Sequence, residues 1–478
     1  MPQIINTNIA SLNAQRNLNS SQSEANTTLQ RLSSGLRINS AKDDAAGLAI
    51  SERFTSQIRG LDQAVRNSND GVSLAQVAEG ALGESGNIVQ RMRELAVQAA
   101  NATNSASDRK ALQAEVNQLK QELERIATTT EFNGLKLLDG TFQAQKFQAG
   151  ANENQTISVS ITGTRIDTLA NNTVETVASG SSTGSIGVAS GGTAPTLNEI
   201  QPQNITISSS LDEQTVNITA SGATAESIAA EINKAAETTG VSASARTSVE
   251  MSGLTASGTV SLSLSTGDGN DATVSAQISD TNNLEPLARE INASSGKTGI
   301  TAEVDGGTIT LIQESGKDIV IEGFTSNGTG TPAINLSGSS QDTETLTTGG
   351  NDSARIAGEI NFDSASSFAV SSDVAGGAGG IFATTNTVGS DPEKLADIDI
   401  STFEGASSAL RVLDSALGTV NSIRADLGAV QNRLESTIAN LSTTSENLSA
   451  ARSRIRDADF AAESANPKPN GLRKLVFH

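Results

Sequence analysis

Apolar residues recur at heptad spacing near both ends of this 478-residue chain. Successive members of each row lie three or four positions apart, which places them along one side of an α-helix. So narrow a row is typical of the seam of a coiled coil, whereas a helix on a globular core carries a wider apolar face. We therefore predict that both chain ends are helical and pack along these seams, which are formed by Leu112, Val116, Leu119, Leu123, Ile126, Leu427, Val430, Leu434, Ile438 and Leu441.

The helix surfaces beside the seams are rich in Asn, Gln, Ser, Thr and Ala, as in residues 98–104 and 440–447. A solvated helix usually carries Lys and Glu at such positions, which form weak ion pairs along it. Small neutral polar side chains instead permit close, hydrogen-bonded contact with a neighbour. We interpret these surfaces as sites of lateral packing against copies of the same chain. An ordinary hydrated helix with an amide-rich composition is the alternative.

The middle of the chain has a different character. From about residue 155 to 390 it is rich in Ser, Thr and Gly and contains short alternating runs such as "QNITIS" and "GTITLI", which are strand signals. The run "SIAAEINKAAETTGVSA" (Ser227–Ala243) matches "PLAREINASSGKTGITA" (Pro286–Ala302) at an offset of 59 residues. We predict two related α+β modules, each with a short helix, a Gly turn and a strand, followed by looser β structure.

Composition excludes several classes of function. The chain has no Cys and one His, so metal sites built on Cys and His and catalytic triads based on His are excluded. Residues 151–390 hold 7 Lys and Arg against 26 Asp and Glu, so most of the net charge of −21 lies there. An acidic middle repels nucleic acid and anionic membranes. No apolar run is long enough for a transmembrane helix. The N-terminal segment has no basic or apolar region of the kind found in a signal peptide. We predict no catalytic, cofactor or metal site, no nucleic-acid partner and no membrane insertion.

One polar stretch lies between two helical patterns, "LSSGLRINSAKDDAAGLAI" (Leu32–Ile50). Its paired carboxylates, Asp43 and Asp44, could be read as acid/base machinery, but no histidine or second polar cluster accompanies them. A carboxylate just before a helix satisfies free backbone N–H groups and suits the helix dipole. We therefore predict that Asp43 or Asp44 caps the helix that begins near Ala45, and that the stretch is a joint.

Several long motifs in this order resemble the bacterial flagellin family: "INTNIASLNAQRNL", the joint just quoted, "NDGVSLAQVAEGAL", "QRMRELAVQAANATNS", "FNGLKLLDG" and "ARSRIRDADFA". The resemblance implies an α+β multidomain fold, in which both chain ends form an all-α coiled-coil rod and the middle forms a β-rich variable region. It implies a structural subunit that self-assembles into the flagellar filament for motility and is not an enzyme. It also implies export of the unfolded chain through the flagellar type III apparatus, with a chaperone and a cap as partners and an extracellular location.

The same resemblance suggests how the chain is divided. We expect an N-terminal helix and joint, the first half of the rod, an outer region that contains the two modules (about 203–265 and 266–325), the second half of the rod and an atypical tail. These parts span residues 1–42, 43–150, 151–395, 396–462 and 463–478.

The tail "SANPKPNGLRKLVFH" departs from the family pattern, in which another amphipathic helix follows. Its prolines prevent a helix. We expect it to remove the helical partner of residues 4–36, which leaves the seam of that N-terminal helix exposed in a monomer. This seam consists of Ile5, Ile9, Leu12, Leu18, Leu29 and Leu32.

Flagellins that resemble this chain are bound by Toll-like receptor 5, an innate immune receptor of animals. The family motif falls on Gln90, Arg91 and Leu95 in "QRMRELAVQ" and on Glu115 in "LQAEVNQL". Arg91 and Leu95 lie four positions apart on one helix face, and we expect Leu95 to lie near the edge of the seam. These four residues are therefore the receptor-binding candidates.

Two other functions fit the pattern less well. A hook–filament junction protein, or hook-associated protein, shares the terminal helices but joins rather than elongates. A hydrolase in the middle would need two carboxylates about 5–9 Å apart in a cleft, and the sequence shows no such cluster.

Overall fold

The computed structural model describes residues 9–101, 104–176 and 181–465. Long helices occupy both ends of the described chain, and strands with three shorter α-helices occupy the middle. This arrangement confirms the predicted fold class. The helices are α1 Ile9–Ser34, α2 Ala45–Ala99, α3 Ala106–Thr129, α4 Ala225–Lys234, α5 Ala236–Thr239, α6 Glu285–Thr298, α7 Phe403–Arg456 and α8 Phe460–Ala465.

Local sequence signals determine where the terminal helices begin. Before α3, the Ser105 hydroxyl accepts the Asp108 N–H at 3.2 Å, and the Asp108 carboxylate accepts the Ser105 N–H at 3.0 Å. This reciprocal pair is a capping box, with Asp in the place that Glu or Gln usually takes. It satisfies two of the backbone N–H groups that a helix N-terminus leaves without partners.

The strands are short and mostly antiparallel to their neighbours. They are β1 Glu131–Phe132, β2 Leu135–Lys136, β3 Gln145–Gln148, β4 Thr156–Val159, β5 Ala170–Glu175, β6 Ile186–Ser190, β7 Gln203–Ser209, β8 Glu213–Ile218, β9 Ser242–Ser252, β10 Gly258–Ser265, β11 Ala272–Ile278, β12 Thr301–Asp305, β13 Thr308–Gln313, β14 Ile319–Ser326, β15 Ala333–Gly338, β16 Thr343–Thr347, β17 Asn351–Ile356, β18 Glu359–Ser364, β19 Phe368–Ser372, β20 Val388–Gly389 and β21 Asp391–Lys394.

The chain forms two compact units. The first unit comprises the chain up to Glu84, residues Ile126–Gly163 and the chain from Ser422 onward. It contains α1, α8, parts of α2 and α7, and the hairpins β1–β2 and β3–β4. Ile58, Leu61 and Leu74 of α2 and Leu434 of α7 supply buried apolar side chains to it.

The second unit comprises Ser85–Arg125 and Thr164–Asn421 and holds the larger sheets. A five-stranded sheet has the order β11–β10–β14–β17–β6, and a four-stranded sheet has the order β20–β19–β7–β8. An eight-stranded sheet follows the path β12–β13–β9–β18–β5–β21, with β15 paired to β9 and β16 paired to β15.

The two repeated segments adopt matching structures in this unit. In the first copy α4 and α5 lead to β9, and in the second α6 leads to β12. Gly240 and Gly299 end the helices with a φ of 68° each, a left-handed conformation that glycine adopts without strain. Matching helix positions are buried in both copies, Ile228 with Leu287 and Ile232 with Ile291.

Strand β9 contributes to two hydrophobic cores. Ala243, near its start, lies in the core that also contains Ile228 and Phe362. Val249 and Met251, near its end, lie in the core that also contains Leu287. Its first half pairs with β18, and its second half pairs with β13 and β15.

The expectation of looser β structure after the modules is wrong. Strand β17 is an interior strand of the five-stranded sheet, and β18 lies at the centre of the eight-stranded path. The run "GGAGG" (Gly376–Gly380) also has defined structure, because Gly376–Ala378 forms a 3₁₀ turn. The Ser182 hydroxyl donates to the Gly376 carbonyl at 2.9 Å, and the Ser182 N–H donates to the Gly380 carbonyl at 3.0 Å.

Candidate interaction surface of the terminal helices

The joint is ordered by its two carboxylates, each with its own task. Asp44 Oδ1 accepts the Gly47 N–H at 2.8 Å, so Asp44 is the N-cap of α2. Asp43 Oδ2 accepts the Ser40 N–H at 2.8 Å and the Asn39 N–H at 3.1 Å, which closes the loop before the helix. The hydrogen bond from the Ser40 N–H, followed by that from Asn39, lowers the pKa of Asp43. Both carboxylates thus hold the backbone of the joint in place by accepting its N–H groups.

Helix α1 has no buried residue over its whole length of 26 residues. Four of its apolar side chains, Ile9, Leu12, Leu18 and Leu29, are 52–63% exposed, and Leu32 is half-buried. Ile5, the first residue of the predicted seam, lies outside the described residues, as do residues 466–478 of the tail. The described part of α1 contacts α8, but four of its apolar side chains stay more than half exposed in the monomer.

The seams of α3 and α7 are only partly covered. Some seam residues are buried, namely Val116, Leu123, Ile126, Leu427 and Leu434. Others are half-buried, namely Leu112, Leu119, Val430, Ile438 and Leu441. Each heptad row is therefore only partly buried within the chain and keeps some apolar surface exposed.

Helices α2 and α7 approach each other closely in the first unit. A Cβ atom added to Gly71 would lie 3.1 Å from Leu434 Cδ1, so glycine permits the approach. Polar pairs accompany the contact: Gln431 donates to Glu79 at 3.1 Å, and Ser445 donates to Asp62 at 3.0 Å. Neutral polar side chains beside the seam thus make direct contacts between helices.

The receptor-binding candidates divide into an exposed group and one buried residue. Gln90 is exposed on α2. The side chain of Arg91 is 51% exposed and that of Glu115 is 45% exposed, and Arg91 Nη2 lies 2.9 Å from Glu115 Oε1. Arg91 Nη1 also lies 3.0 Å from Glu94 Oε2. These hydrogen bonds, with Glu94 first, raise the pKa of Arg91. Arg91 thus links α2 to α3 at the surface.

Leu95 does not lie at the edge of the seam as expected, because only 1% of it is exposed. It lies between buried Met92 and Ala96 on the inner side of α2, so it is a core residue of the helix packing. The expectation was wrong because four-residue spacing gives a common side of a helix but not the depth at which each residue packs.

Two carboxylates that pair with arginines of this part of α2 were not predicted from the sequence. Glu94 is the second carboxylate partner of Arg91, and Asp414 on α7 lies 2.5 Å from Arg93 Nε. Both pairs have side chains that are more than one-third exposed. The repeated occurrence of charged residues in "QRMRELAVQ" was the available signal, but the partner on α7 is 321 positions away.

Two kinds of feature are not found in the part of the chain that the structure describes. Across residues 9–101, 104–176 and 181–465, no three His, Cys, Asp or Glu side chains are grouped so that they could hold a metal ion. None of the helices in that same part of the chain has the length and hydropathy that crossing a bilayer requires.

The terminal helices and the internal repeat both match known protein families. The family described as "Bacterial flagellin N-terminal helical region" matches residues 5–143, and "Bacterial flagellin C-terminal helical region" matches residues 410–471. The "Flagellin hook IN motif" matches twice, over residues 204–259 and 259–315. These two matches fall on the two copies of the internal repeat.

Curated relatives match over almost the whole chain. The B-type flagellin of Pseudomonas aeruginosa is 41% identical over 477 residues, which cover 97% of this chain and 94% of that protein. Flagellin B of Vibrio cholerae is 35% identical over 461 residues, which cover 96% of this chain and 90% of that protein. Among solved structures, FliC from Burkholderia pseudomallei is 22% identical, with a TM-score of 0.31 and coverage of 76% of this chain and 99% of that one.

The terminal helices have partly exposed apolar seams, and the middle of the chain is rich in strands. This arrangement is that of a structural protein that acts through contacts between its surfaces. The family matches at both chain ends, together with the relatives that span the chain, identify the family of structural proteins. The chain belongs to the bacterial flagellin family, the structural subunits of the flagellar filament.

Proposed function

We propose that this chain polymerises into the filament by covering the apolar side of α1 and the open side of the α7 seam with neighbouring copies. The observation that supports this proposal is the exposure of apolar side chains along the amphipathic helix α1. Its 26 residues include no buried position. An isolated helix in water is only marginally stable, so α1 gains a packing partner and its stability at the same step.

The energetic gain from such packing is considerable. Complete burial of one Leu or Ile side chain contributes about 1.5–3 kcal/mol. The four exposed side chains Ile9, Leu12, Leu18 and Leu29 already have about half of their surface in contact with the chain, so they retain roughly half of this gain. The half-buried residues Val430, Ile438 and Leu441 add to it.

Seeded growth tests the assembly proposal. Purified monomer is mixed with fragments of preformed filament, and the critical concentration is measured by sedimentation and negative-stain microscopy. Leu18→Gln should raise the critical concentration about three- to tenfold, since half of the gain from burying one Leu is roughly 0.75–1.5 kcal/mol. Ser20→Gln, at an exposed polar position of the same helix, is the matched control and should leave it unchanged.

Two outcomes would count against filament growth. Short rings on the fragments would favour a junction protein, and unaltered growth of Leu18→Gln would show that α1 does not provide the contact. A second version of the chain, in which residues 463–478 are replaced by the corresponding segment of the Pseudomonas aeruginosa relative, separates an effect of the tail from an effect of α1.

We further propose that the subunit reaches the filament tip unfolded through the flagellar type III export apparatus, with a chaperone and a cap as partners, and functions outside the cell. Membership of the flagellin family supports this route. The absence of Cys from the sequence is compatible with it, because no disulfide has to form after export. The test is the amount of the chain in the medium of a flagellated host and of the same host without its flagellar export apparatus. Equal amounts in both media would rule out this route.

We also propose that Toll-like receptor 5 binds the exposed group Gln90, Arg91 and Glu115. An arginine with a planar fork of donors is a frequent anchor at protein interfaces. Arg91 is half-exposed and already held in place by Glu94 and Glu115. Leu95 is left out of this proposal, because its burial leaves no surface for direct contact in the folded chain.

Receptor activation by purified monomer tests this proposal. Arg91→Ala should lower potency roughly ten- to a hundredfold, the effect of losing an anchor worth about 1–3 kcal/mol. Arg91→Lys should also lose potency, because a point charge does not reproduce the fork. Arg125→Ala is the matched control, since Arg125 is 59% exposed and pairs with Glu122 on α3. Equal potency of Arg91→Ala and Arg125→Ala would exclude the assignment.

A further inference from the structure

The joint forms a backbone bridge with the far end of the chain. Leu36 and Asp457 form an isolated antiparallel bridge. The Arg37 N–H donates to the Arg456 carbonyl at 2.7 Å, and the Ala458 N–H donates to the Gly35 carbonyl at 3.0 Å. Residues just after α1 are therefore fastened to residues just after α7.

The side chain of Arg37 adds a cap to α7. Arg37 Nη2 donates to the Ile455 carbonyl at 2.5 Å, across a sequence separation of 418 positions. The last carbonyls of a helix have no partner within the helix, and a cation suits the negative end of its dipole. The end of α7 is thus capped by the guanidinium and the backbone N–H of a residue from the opposite end of the chain.

The segments on both sides of the bridge are fixed. Ile38 is 1% exposed, and a Cβ atom on Gly47 would lie 2.6 Å from Ile38 Cδ1, so the joint packs directly on the first turn of α2. On the other side, Asp457 accepts the Ser453 hydroxyl at 2.6 Å, and Asp459 Oδ1 accepts the Ala461 N–H at 3.0 Å at the start of α8.

The bridge lies where α1 ends and shortly before α8 begins. Helix α1 ends one residue before Gly35, and α8 begins three residues after Asp457. The two helices contact each other. Both carry apolar side chains without cover, such as Leu29 on α1 and Phe460 on α8, which is 67% exposed.

We propose that Arg37 is a positioning residue for assembly, which fixes the direction of α1 relative to α8 by holding the bridge between residues 35–38 and 455–458. When α1 and α8 are held in this way, their exposed apolar side chains form one surface for a neighbouring copy. This role rests on the proposed function of filament assembly, but the geometry of the bridge exists in the monomer and can be measured there.

The absence of Cys from the sequence permits a direct distance measurement. Spin labels are attached to Ser33→Cys, in the last turn of α1, and to Ala462→Cys in α8, both of which are exposed positions. The distribution of label distances is recorded in the monomer for the otherwise unchanged chain, for Arg37→Ala and for Arg37→Lys. Arg53→Ala, which removes an exposed arginine from α2, is the matched control.

The unchanged chain and Arg53→Ala should give one narrow distribution, and Arg37→Ala should give a broad one. The thermal midpoint of the β-rich middle should stay the same in all variants. Arg37→Lys, which can still donate to the Ile455 carbonyl, should recover most of the narrow distribution. The critical concentration for assembly should rise about tenfold in Arg37→Ala, the effect of one hydrogen bond that involves a charged group.

A narrow distribution in Arg37→Ala would overturn the positioning role, as would a distribution that is already broad in the unchanged chain. Failure of the unchanged chain to extend filament fragments would instead refute the assembly function, because the distances are measured in the monomer and do not depend on growth.

Discussion

Asn233 and Asn292, 59 positions apart, make the same pair of hydrogen bonds. Asn233 Nδ2 donates to the Ala243 carbonyl at 2.8 Å, and its Oδ1 accepts the Ala243 N–H at 2.7 Å. Asn292 does the same with Ala302, at 2.8 Å in both directions. A side-chain amide on the helix therefore replaces a neighbouring strand for one residue of the strand that follows. This contact explains why the repeat retains Asn at a helix position where most residues have a better propensity.

Replacement of either asparagine should destabilise the middle of the chain. In Asn233→Ala and in Asn292→Ala, the backbone N–H and C=O of a nearly buried alanine lose their partners, which costs about 1–3 kcal/mol. Urea denaturation followed by circular dichroism measures the change. Asn217→Ala, at an exposed position of β8, is the control and should change stability by less than about 0.5 kcal/mol. Equal changes in all three variants would show that the paired bonds contribute nothing specific.

Loss of the N-cap should weaken α2. Asp44→Ala leaves the Gly47 N–H without its acceptor and should lower the free energy of unfolding by about 1 kcal/mol. Asp44→Ser keeps an oxygen at the same place and should retain most of the stability. The control is Asp70→Ala in the middle of the same helix, where Asp70 is exposed. The cap assignment is wrong if Asp44→Ser is as unstable as Asp44→Ala.

Stability of the middle should depend on pH through Asp363. Burial raises the pKa of Asp363 above its ordinary value of 3.8, although the Arg411 guanidinium, 3.3 Å away, acts in the opposite direction. The folded state then binds more protons than the unfolded state, so this residue makes stability fall as pH rises from 3.8 through the higher folded-state pKa.

Asp363→Asn should remove that fall, because the amide does not ionise and its oxygen can still accept from Asn171, the present partner at 2.9 Å. Thermal midpoints measured at a series of pH values give the slope. The control is Asp391→Asn, at an exposed position of β21. A slope that is equally steep in Asp363→Asn and the unchanged chain would refute the prediction.

Trypsin should cut the monomer first in α1. Arg16 lies in a helix without buried residues, and local unfolding of such a segment requires little free energy. Arg125 is equally accessible as a side chain, at 59% exposure, but its helix is packed through Leu123 and Ile126. A digestion time course read by mass spectrometry should show loss of residues up to about 40 before any cut at Arg125. Simultaneous cuts at both sites would contradict it.

The helical part of the fold and its seams could be predicted because the relevant signals are local. Heptad spacing is enough to place Val116, Leu123 and Leu434 on inner helix sides, where the structure has them. The spacing does not say which members remain half-buried, as Leu119 and Ile438 do. That depends on how many helices pack around each stretch, which is a property of the whole fold.

The strand partners could not be predicted in the same way. The alternating runs "QNITIS" and "GTITLI" identified β7 and β13, but strand β18 pairs with β9 over a separation of more than 100 residues. A short run of Ser, Thr and Ile does not specify such a partner. The pairing register of a strand depends on which of its faces is buried, and this is decided only when the hydrophobic cores form. The contact of Arg37 could not be predicted for a similar reason, because its partner, the Ile455 carbonyl, lies at the other end of the sequence.

Strand β9 has a consequence for how the middle of this flagellin can vary. Within eleven residues it supplies Ala243 to one core and Val249 with Met251 to the other. The two modules are therefore not independent: β9 belongs to the first copy, and loss of the second copy would leave Val249 and Met251 without the core that they share with Leu287. Changes of sequence should be tolerated best in the exposed turns, such as residues 267–271 and 327–331, which bury little. A foreign peptide inserted there would be displayed once for every subunit, with both cores intact.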